Sequence, residues 1–169
     1  LVNDTNLGKA IKAMLFFFFK QKTAYDIYPL KNSETNYGMG ITGTLPKPMT
    51  EKEFLGFVAD RLGTKFLRHS SPTGKPVSRI AVFGGSASEY LGDAIAAGCD
   101  AFVTSDVRYH TFQDAEERIL LVDAGHFETE SPILPEVKKR LEQHFTSLGE
   151  DLNIYIYDGN ANPVNYFSF

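Results

Sequence analysis

The sequence predicts an α/β fold in which a layered mixed sheet is covered by flanking helices. From residue 77 onward, short apolar runs with strand character alternate with segments whose apolar residues have helical spacing. Such alternation is typical of a sheet whose strands are at least partly parallel. Helix-capping signals separate the segments, and 169 residues with 43% apolar content can bury one core of ordinary size.

The first regular elements follow residue 24. Two strands are predicted over residues 24–30 and 37–45. Pro46 and Pro48 are expected to break the chain after them. The spacing Thr50-x-x-Glu53 is a capping box, which predicts a helix that ends at Gly63.

The remaining elements alternate along the chain. Strands are predicted over residues 65–69, 77–85, 100–106, 119–123 and 153–158. Helices are predicted from a second capping box at Ser86 to Gly98, over residues 108–118 and over residues 135–145. Because folds of this class place their sites at the carboxyl ends of strands, the residues that follow each strand are the candidates for function.

The composition argues against several classes of protein. A net charge of −4 and the lack of a Lys/Arg cluster argue against a nucleic-acid partner. Cys99 is the only cysteine, so a disulfide framework and a thiolate zinc cluster are both excluded. The longest apolar run, residues 14–19, is too short to cross a bilayer. These observations predict a soluble, cytoplasmic protein without a membrane partner.

Two strand ends carry polar residues whose role the pattern leaves open. In F-G-G-S-A-S, residues 83–88, a glycine-rich turn precedes a helix start, where backbone N–H groups can bind an anion. The spacing matches neither a P-loop nor a dinucleotide fingerprint, which favours a plain tight turn. In T-S-D-V-R-Y-H, residues 104–110, Asp106 fits an ordinary helix N-cap. His110 on the following turn is either functional or simply packed.

A third strand end, I-L-L-V-D-A-G-H-F-E-T-E at residues 119–130, carries a histidine and two glutamates. If the residues after Gly125 are helical, His126 and Glu130 stand at i and i+4 on one face. Imidazole nitrogen and carboxylate oxygen bind zinc, manganese or iron, so the pair could hold a divalent metal ion. Two ligands are fewer than a catalytic zinc usually takes from protein, and an exposed polar turn stays open as the alternative.

The two motifs T-S-D-V-R-Y-H and L-L-V-D-A-G-H-F-E-T-E closely resemble the motif pair of the NIF-three-like proteins, usually called GTP cyclohydrolase 1 type 2 homologues. A-Y-D-I-Y-P-L and N-P-V-N-Y-F (162–167) also fit this family. The resemblance implies two metal ions in each intact subunit, with His126 and Glu130 as ligands. It implies that Asp106 and His110 line the same cleft. Glu128 or His110 could move a proton there.

The resemblance also implies a domain organisation and an assembly. Residues 1–48 resemble the end of a ferredoxin-like, PII-like insertion, and residues 49–169 the C-terminal α/β metal-binding lobe. Family members assemble into rings, commonly homo-oligomeric hexamers. They also draw ligands from a His-His pair in an N-terminal half, whereas none of the four histidines here adjoins another. We therefore expect the chain to be a C-terminal fragment that is inactive alone.

Two departures from the family pattern stand out. Residues 16–23, F-F-F-F-K-Q-K-T, match no structural period and resemble a sequencing adapter read in frame after a poly-T run. The family tends to have H-P-Y-E-E there, so we interpret these residues as a sequencing artefact and assign them no function. Ser105 replaces the usual glycine before Asp106.

Two classes of function follow. The first is a metal-dependent, cyclohydrolase-like hydrolase that acts on a nucleotide or another phosphorylated small molecule through a metal-activated water. The second is a metal-binding scaffold or regulatory module without turnover, since a fold and a family name do not determine chemistry. The sequence identifies no catalytic residue, and a missing general base would favour the scaffold.

Overall fold

The computed structural model describes residues 40–157, 159 and 162–167 of the chain. Its strands are β1 (Ile41–Met49), β2 (Arg68–His69), β3 (Val77–Ser86), β4 (Ala101–Ser105) and β5 (Leu120–Asp123). They form one sheet in the order β1-β3-β4-β5-β2. The central strands β3, β4 and β5 are parallel, whereas β1 and β2 pair antiparallel at the two edges. The predicted mixed α/β fold is confirmed.

Helices follow the strands within the described residues. They are α1 (Glu51–Leu62), α2 (Leu91–Ala96), α3 (Tyr109–Ala115), α4 (His126–Glu130) and α5 (Leu134–Ser147). Short 3-10 turns precede α2 and α5, at Ser88–Tyr90 and Ser131–Ile133. None of the helices described has the length and apolar character that a bilayer crossing requires.

The capping box that the sequence predicts before α1 is present. Glu53 N donates to Thr50 Oγ1, and Thr50 N donates to Glu53 Oε2 at 2.8 Å. The helix ends at Gly63, whose φ of 65° is the left-handed conformation that glycine adopts without strain. Phe54 and Val58, four residues apart, are the buried residues of α1 and face the sheet.

Apolar residues on both faces of the sheet form two core clusters. Alternate residues of a strand point to opposite faces, and the central strands are buried on both. On one face Ile80 and Val82 of β3 pack with Phe54 of α1. On the other face Ala81 and Phe83 pack with residues of α2 and with Ala115 of α3. This burial orients the carboxyl ends of β3, β4 and β5 toward a common edge.

Several predicted elements differ from the structure. β1 continues to Met49 through both prolines, because an edge strand has one free side and its register with β3 shifts between Thr44 and Met49. Ser86 ends β3 and forms no cap: the chain first makes a 3-10 turn, and no side chain caps that turn or α2.

The predicted last strand, residues 153–158, is wrong for residues 153–157, which form no strand. Alternating apolar and polar residues need a free strand edge to pair with. Instead, the backbone oxygen of Ile154 accepts a hydrogen bond from Lys138 Nζ of α5.

The predicted division into residues 1–48 and 49–169 stays a prediction. Residues 1–39, including the interpreted artefact at 16–23, lie outside the described residues. Residues 41–48, which the prediction assigns to the insertion, belong to β1, and residues 41–44 of this strand pair with β3 of the α/β lobe.

Truncation of Phe54 tests the core. Its side chain is fully buried between α1 and the sheet, so Phe54→Ala leaves a cavity and should lower the free energy of unfolding by about 3–5 kcal/mol. Lys52→Ala, at an exposed position of the same helix, should change it by less than about 0.5 kcal/mol. Urea unfolding of both variants measures the difference, and similar losses would contradict the packing described here.

Candidate metal centre

The candidate site lies at the edge where the three central strands end. β4 is followed by Asp106, whose φ of 53° turns the chain sharply. β5 is followed by Gly125, which opens the five-residue helix α4. Because α4 packs against β3 and β4, the residues after β4 and β5 come together. The helical conformation that the sequence analysis required for His126 and Glu130 is present.

The imidazole of His126 is held between two carboxylates. Its Nδ1 lies 2.6 Å from Asp106 Oδ2, and its Nε2 lies 3.1 Å from Glu130 Oε1. With the proton on Nδ1 donated to Asp106, Nε2 and the Glu130 carboxylate face one another. The three side chains are between 41% and 54% exposed, so the group is open to solvent.

The surroundings of His126 change its acidity. Burial lowers its pKa, but the hydrogen bond to Asp106 and the negative charges of Glu130 and Asp106 outweigh burial, and the net pKa is raised. The folded chain therefore favours the imidazolium. The resulting stability is fully present below the pKa of the unfolded chain and is lost as the pH rises through the higher folded pKa.

Gly85, near the end of β3, gives Glu130 the room that it occupies. A Cβ on Gly85 would overlap Glu130 Oε1 and come within 3.6 Å of His126 Nε2. The backbone of Gly85 also has a φ of 65°, which disfavours other residues. This close approach is what the structure shows for the second glycine of F-G-G-S.

Two buried threonines hold Gly85 in place. Thr129 of α4 accepts a hydrogen bond from Gly85 N at 2.9 Å and donates to Gly125 O at 2.8 Å. Thr104 of β4 donates to Gly85 O at 3.0 Å and accepts from Ala87 N at 3.1 Å. Both backbone groups of Gly85 are thereby satisfied, and α4 is joined to the end of β3.

The carboxylate of Asp123 connects the two loops of the site. Its Oδ2 accepts hydrogen bonds from Val107 N and Arg68 Nη1, each at 3.1 Å, and its Oδ1 accepts from Gly125 N at 3.2 Å. Arg68 Nη2 also donates to Val107 O at 3.0 Å. One buried carboxylate thus positions both the turn at Asp106 and the start of α4.

The other predicted site residues have partners of their own. Glu128 Oε1 accepts a hydrogen bond from Asn162 Nδ2 at 2.8 Å, which joins α4 to the C-terminal segment. His110 Nδ1 lies 3.0 Å from Gln113 Oε1 on the exposed first turn of α3. Asp106 is not the N-cap of α3: Arg108 occupies that position without a side-chain cap, and Asp106 bonds to His126.

The donor set fits half of a metal site. Donor atoms that share an ion at about 2.1 Å lie roughly 3.0–3.4 Å apart, and the separation of His126 Nε2 and Glu130 Oε1 is 3.1 Å. A histidine ligand commonly donates its other N–H to a carboxylate, as His126 does to Asp106. Within the described residues no three His, Cys, Asp or Glu side chains form a group that could hold an ion.

Sequence reasoning missed the residues that support this group. The sequence predicts Asp123 only as the end of a strand and Gly85 only as part of a tight turn, and it assigns no role to Thr129. The only available signal was that each is a small or polar residue beside a strand end. Apart from neighbours in sequence such as Gly125, their partners lie between 16 and 55 residues away, which no local pattern indicates.

The fold and the site define a class of protein: an α/β protein with a mixed sheet and a His–carboxylate group at the carboxyl edge of its parallel strands. The chain belongs to the Duf34/NIF3 (NGG1p interacting factor 3) family, whose family model matches residues 4–163. This match confirms the resemblance that the two motifs indicate.

Individual relatives agree with this assignment. A Bacillus subtilis protein named GTP cyclohydrolase 1 type 2 homolog is 32% identical over 161 residues, covering 92% of this chain and 42% of its own length. A Halalkalibacterium halodurans protein of the same name is 29% identical and covers 98% of this chain and 45% of its own length. The chain thus spans less than half the length of these relatives.

Solved structures support the fold. A Bacillus cereus protein related to NIF3 superimposes with a TM-score of 0.74 at 31% identity, over 94% of this chain and 44% of that one. A Staphylococcus aureus protein superimposes with a TM-score of 0.72 at 26% identity, over 78% of this chain and 38% of its own.

Removal of either carboxylate beside His126 should lower the pKa of its imidazole. Asp106→Asn and Glu130→Gln each remove a negative charge that favours the imidazolium. Titration of the imidazole signals by NMR in metal-free protein measures the effect. Glu128→Gln is the matched control, because that carboxylate bonds to Asn162, and it should leave the titration nearly unchanged. Equal shifts in all three variants would contradict the described geometry.

An alanine at Gly85 should disturb the site beyond its effect on the backbone. Gly85→Ala combines strain at positive φ, about 1–2 kcal/mol, with overlap on Glu130 Oε1. Gly74→Ala is the control, since Gly74 has a φ of 73° and nothing within 4 Å of the added Cβ. Only Gly85→Ala should also change the NMR titration of His126. Chemical unfolding and that titration, measured on both variants, test the prediction.

Proposed function

We propose that this chain supplies His126 and Glu130 to the divalent-metal centre of a hydrolase-like protein, whose substrate is a nucleotide or another phosphorylated small molecule. The observation that carries the proposal is the convergence of His126 Nε2 and Glu130 Oε1, 3.1 Å apart, at the carboxyl edge of the sheet. The printed name of the relatives, GTP cyclohydrolase 1 type 2 homolog, supports a reaction of this kind.

The metal is zinc, manganese or iron, because these ions accept mixed nitrogen and oxygen ligands. Further ligands would come from outside the described residues, since those residues hold no group of three. Two ions in each intact subunit and a hexameric ring are the stoichiometries that the family resemblance implies, and they form part of the proposal.

When bound, such an ion supplies Lewis acidity that lowers the pKa of water toward neutrality. The residues of this chain have separate tasks around it. Asp106 keeps the proton of His126 on Nδ1, so that Nε2 is free as a ligand. Gly85 leaves the space in which Glu130 approaches His126.

One observation favours the alternative, a metal-binding scaffold or regulatory module. The two candidates for proton transfer are already engaged: Glu128 accepts from Asn162, and His110 is bonded to Gln113. A general base has to reach the proton that it removes. Turnover of a phosphorylated substrate by the intact, metal-loaded protein decides between the two classes.

Substitution of the two ligands tests the metal assignment. In the 169-residue chain we expect weak binding of Zn²⁺ or Mn²⁺, because only two described ligands converge. His126→Ala and Glu130→Ala should each abolish it, and Asp106→Asn should weaken it by about 10–100-fold. Binding should weaken as the pH falls, beginning above the ordinary histidine pKa of about 6.5, since the pKa of His126 is raised and only neutral imidazole coordinates.

Calorimetry and elemental analysis measure this binding. His144→Ala and Glu150→Ala are the controls: both residues are exposed, one in α5 and one beyond its end. Circular dichroism should show that all the variants remain folded. Unchanged metal binding in His126→Ala or Glu130→Ala would contradict the assignment and favour the alternative, an exposed polar turn that binds no metal.

A further inference from the structure

A polar groove runs between α2 and α3, beside the candidate metal centre. It has a cavity volume of about 570 Å³, which lies within the range of small-molecule sites, about 300–1,000 Å³. One wall is a stripe on and around α3 with spacings of three, three and four residues: Arg108, Thr111, Asp114 and Arg118. Thr111 and Asp114, three residues apart in α3, lie on one side of the helix, while Arg108 precedes the helix and Arg118 follows it.

The other wall comes from the 3-10 turn and α2. Ser88 contributes a hydroxyl group, and Leu91 and Ile95 contribute apolar surface. Gly92 adds no side chain, and a Cβ built there meets nothing within 4 Å. The groove is thereby open along the middle of α2 and polar at its rim, which suits a small polar molecule better than an apolar one.

The groove is lined by three carboxylates, those of Glu89, Asp106 and Asp114, and by two guanidinium groups, those of Arg108 and Arg118. Both arginines and Asp114 belong to the wall around α3, whereas Glu89 lies in the 3-10 turn of the other wall. Within the described part of the chain, the guanidinium of Arg108 has no hydrogen bond or ion pair, and Arg118 donates only to the backbone oxygen of Asp114. Unpaired guanidinium groups suit phosphate or carboxylate, and carboxylates suit N–H donors.

We propose that this groove binds a small molecule that carries one phosphate group on a body rich in N–H and hydroxyl groups, the class to which nucleoside 5′-monophosphates belong. Arg108 receives the phosphate, while the carboxylates of Glu89 and Asp114 receive N–H donors. A pure polyanion would meet these carboxylates, and an uncharged molecule would leave Arg108 without a partner.

Asp106 connects the groove to the metal centre. It lines the groove and accepts the hydrogen bond from His126 Nδ1, so a ligand in the groove lies next to the group that orients His126. The assignment of this ligand as substrate rests on the proposed function. Its binding to the groove does not, because the groove residues other than Asp106 have no part in metal ligation.

Two glycines in helices allow a matched test. Gly92→Leu places a side chain in the groove, whereas Gly56→Leu places the same side chain on α1, where the added Cβ also meets nothing within 4 Å. Neither position has a positive φ, so both changes should leave the fold intact. Arg108→Gln removes the phosphate-binding charge and leaves the groove open.

The experiment uses the 169-residue chain with EDTA and the four ribonucleoside 5′-monophosphates as probes, each with its nucleoside and with inorganic phosphate as comparisons. Isothermal titration calorimetry gives the affinity, and backbone amide shifts give the location. We expect at least one monophosphate to shift amides of α2 and α3 and to bind more tightly than its nucleoside. Arg108→Gln should weaken the binding of that monophosphate about tenfold or more and should leave the binding of the nucleoside unchanged. Gly92→Leu should weaken the binding of both molecules, whereas Gly56→Leu should weaken the binding of neither.

Metal titration of the same variants separates this inference from the proposed function. Arg108→Gln and Gly92→Leu should bind Zn²⁺ as the unmodified chain does. No binding of any monophosphate, shifts elsewhere in the chain, or equal losses in Gly92→Leu and Gly56→Leu would each overturn the groove assignment. His126→Ala is the variant that should lose metal binding. If it still binds metal, the proposed metal centre is contradicted and the groove assignment is not affected.

Discussion

The buried carboxylate of Asp123 is the interaction on which the candidate site depends. It ends β5 and accepts hydrogen bonds from Val107 N, Gly125 N and Arg68. Without it, two backbone N–H groups would lose their acceptor, at a cost of about 1–3 kcal/mol for each group that stays buried. More importantly, the turn at Asp106 and the start of α4 would no longer share a fixed point. The hydrogen bonds to Asp123 thus determine the distance between Asp106 and His126.

The same dependence explains how a helix of five residues can hold two candidate ligand side chains in register. A helix as short as α4 is not stable alone, so its geometry has to come from tertiary contacts. Thr129 supplies them from within the helix, because its hydroxyl bonds to both Gly125 O and Gly85 N. Gly85 then tolerates the approach of Glu130 because it has no Cβ. The pair His126–Glu130 is therefore positioned by contacts of α4 with two strands. Thr129 bonds to Gly85 of β3, and Asp123 of β5 bonds to Gly125 at the start of the helix.

The sequence predicts the elements of this arrangement better than their connections. Periodicity and capping locate α1 and the three parallel strands, since local spacing determines which face of each element is buried. The same local patterns misplace the start of α2 and predict a strand at residues 153–157 that the structure does not have. A cap or a strand also needs a partner, and local sequence does not contain it. The motif predicts that His126 and Glu130 share a helix face. The hydrogen bonds of Asp123 to Val107 and of Gly85 to Thr129 join distant segments and become visible only in the fold.

Asp106 belongs to both the candidate metal centre and the groove. Its positive φ of 53° is a conformation that aspartate tolerates better than most residues, and it turns the carboxylate back toward His126. The same turn directs the chain through Val107, whose N–H and C=O are both bound, to Arg108 at the start of α3. A single residue, Val107, therefore lies between Asp106, which bonds to the imidazole, and Arg108, which lines the groove. Both backbone groups of Val107 are bonded, its N–H to Asp123 and its C=O to Arg68. The turn that carries Arg108 to the groove is thus the turn that places the Asp106 carboxylate against His126.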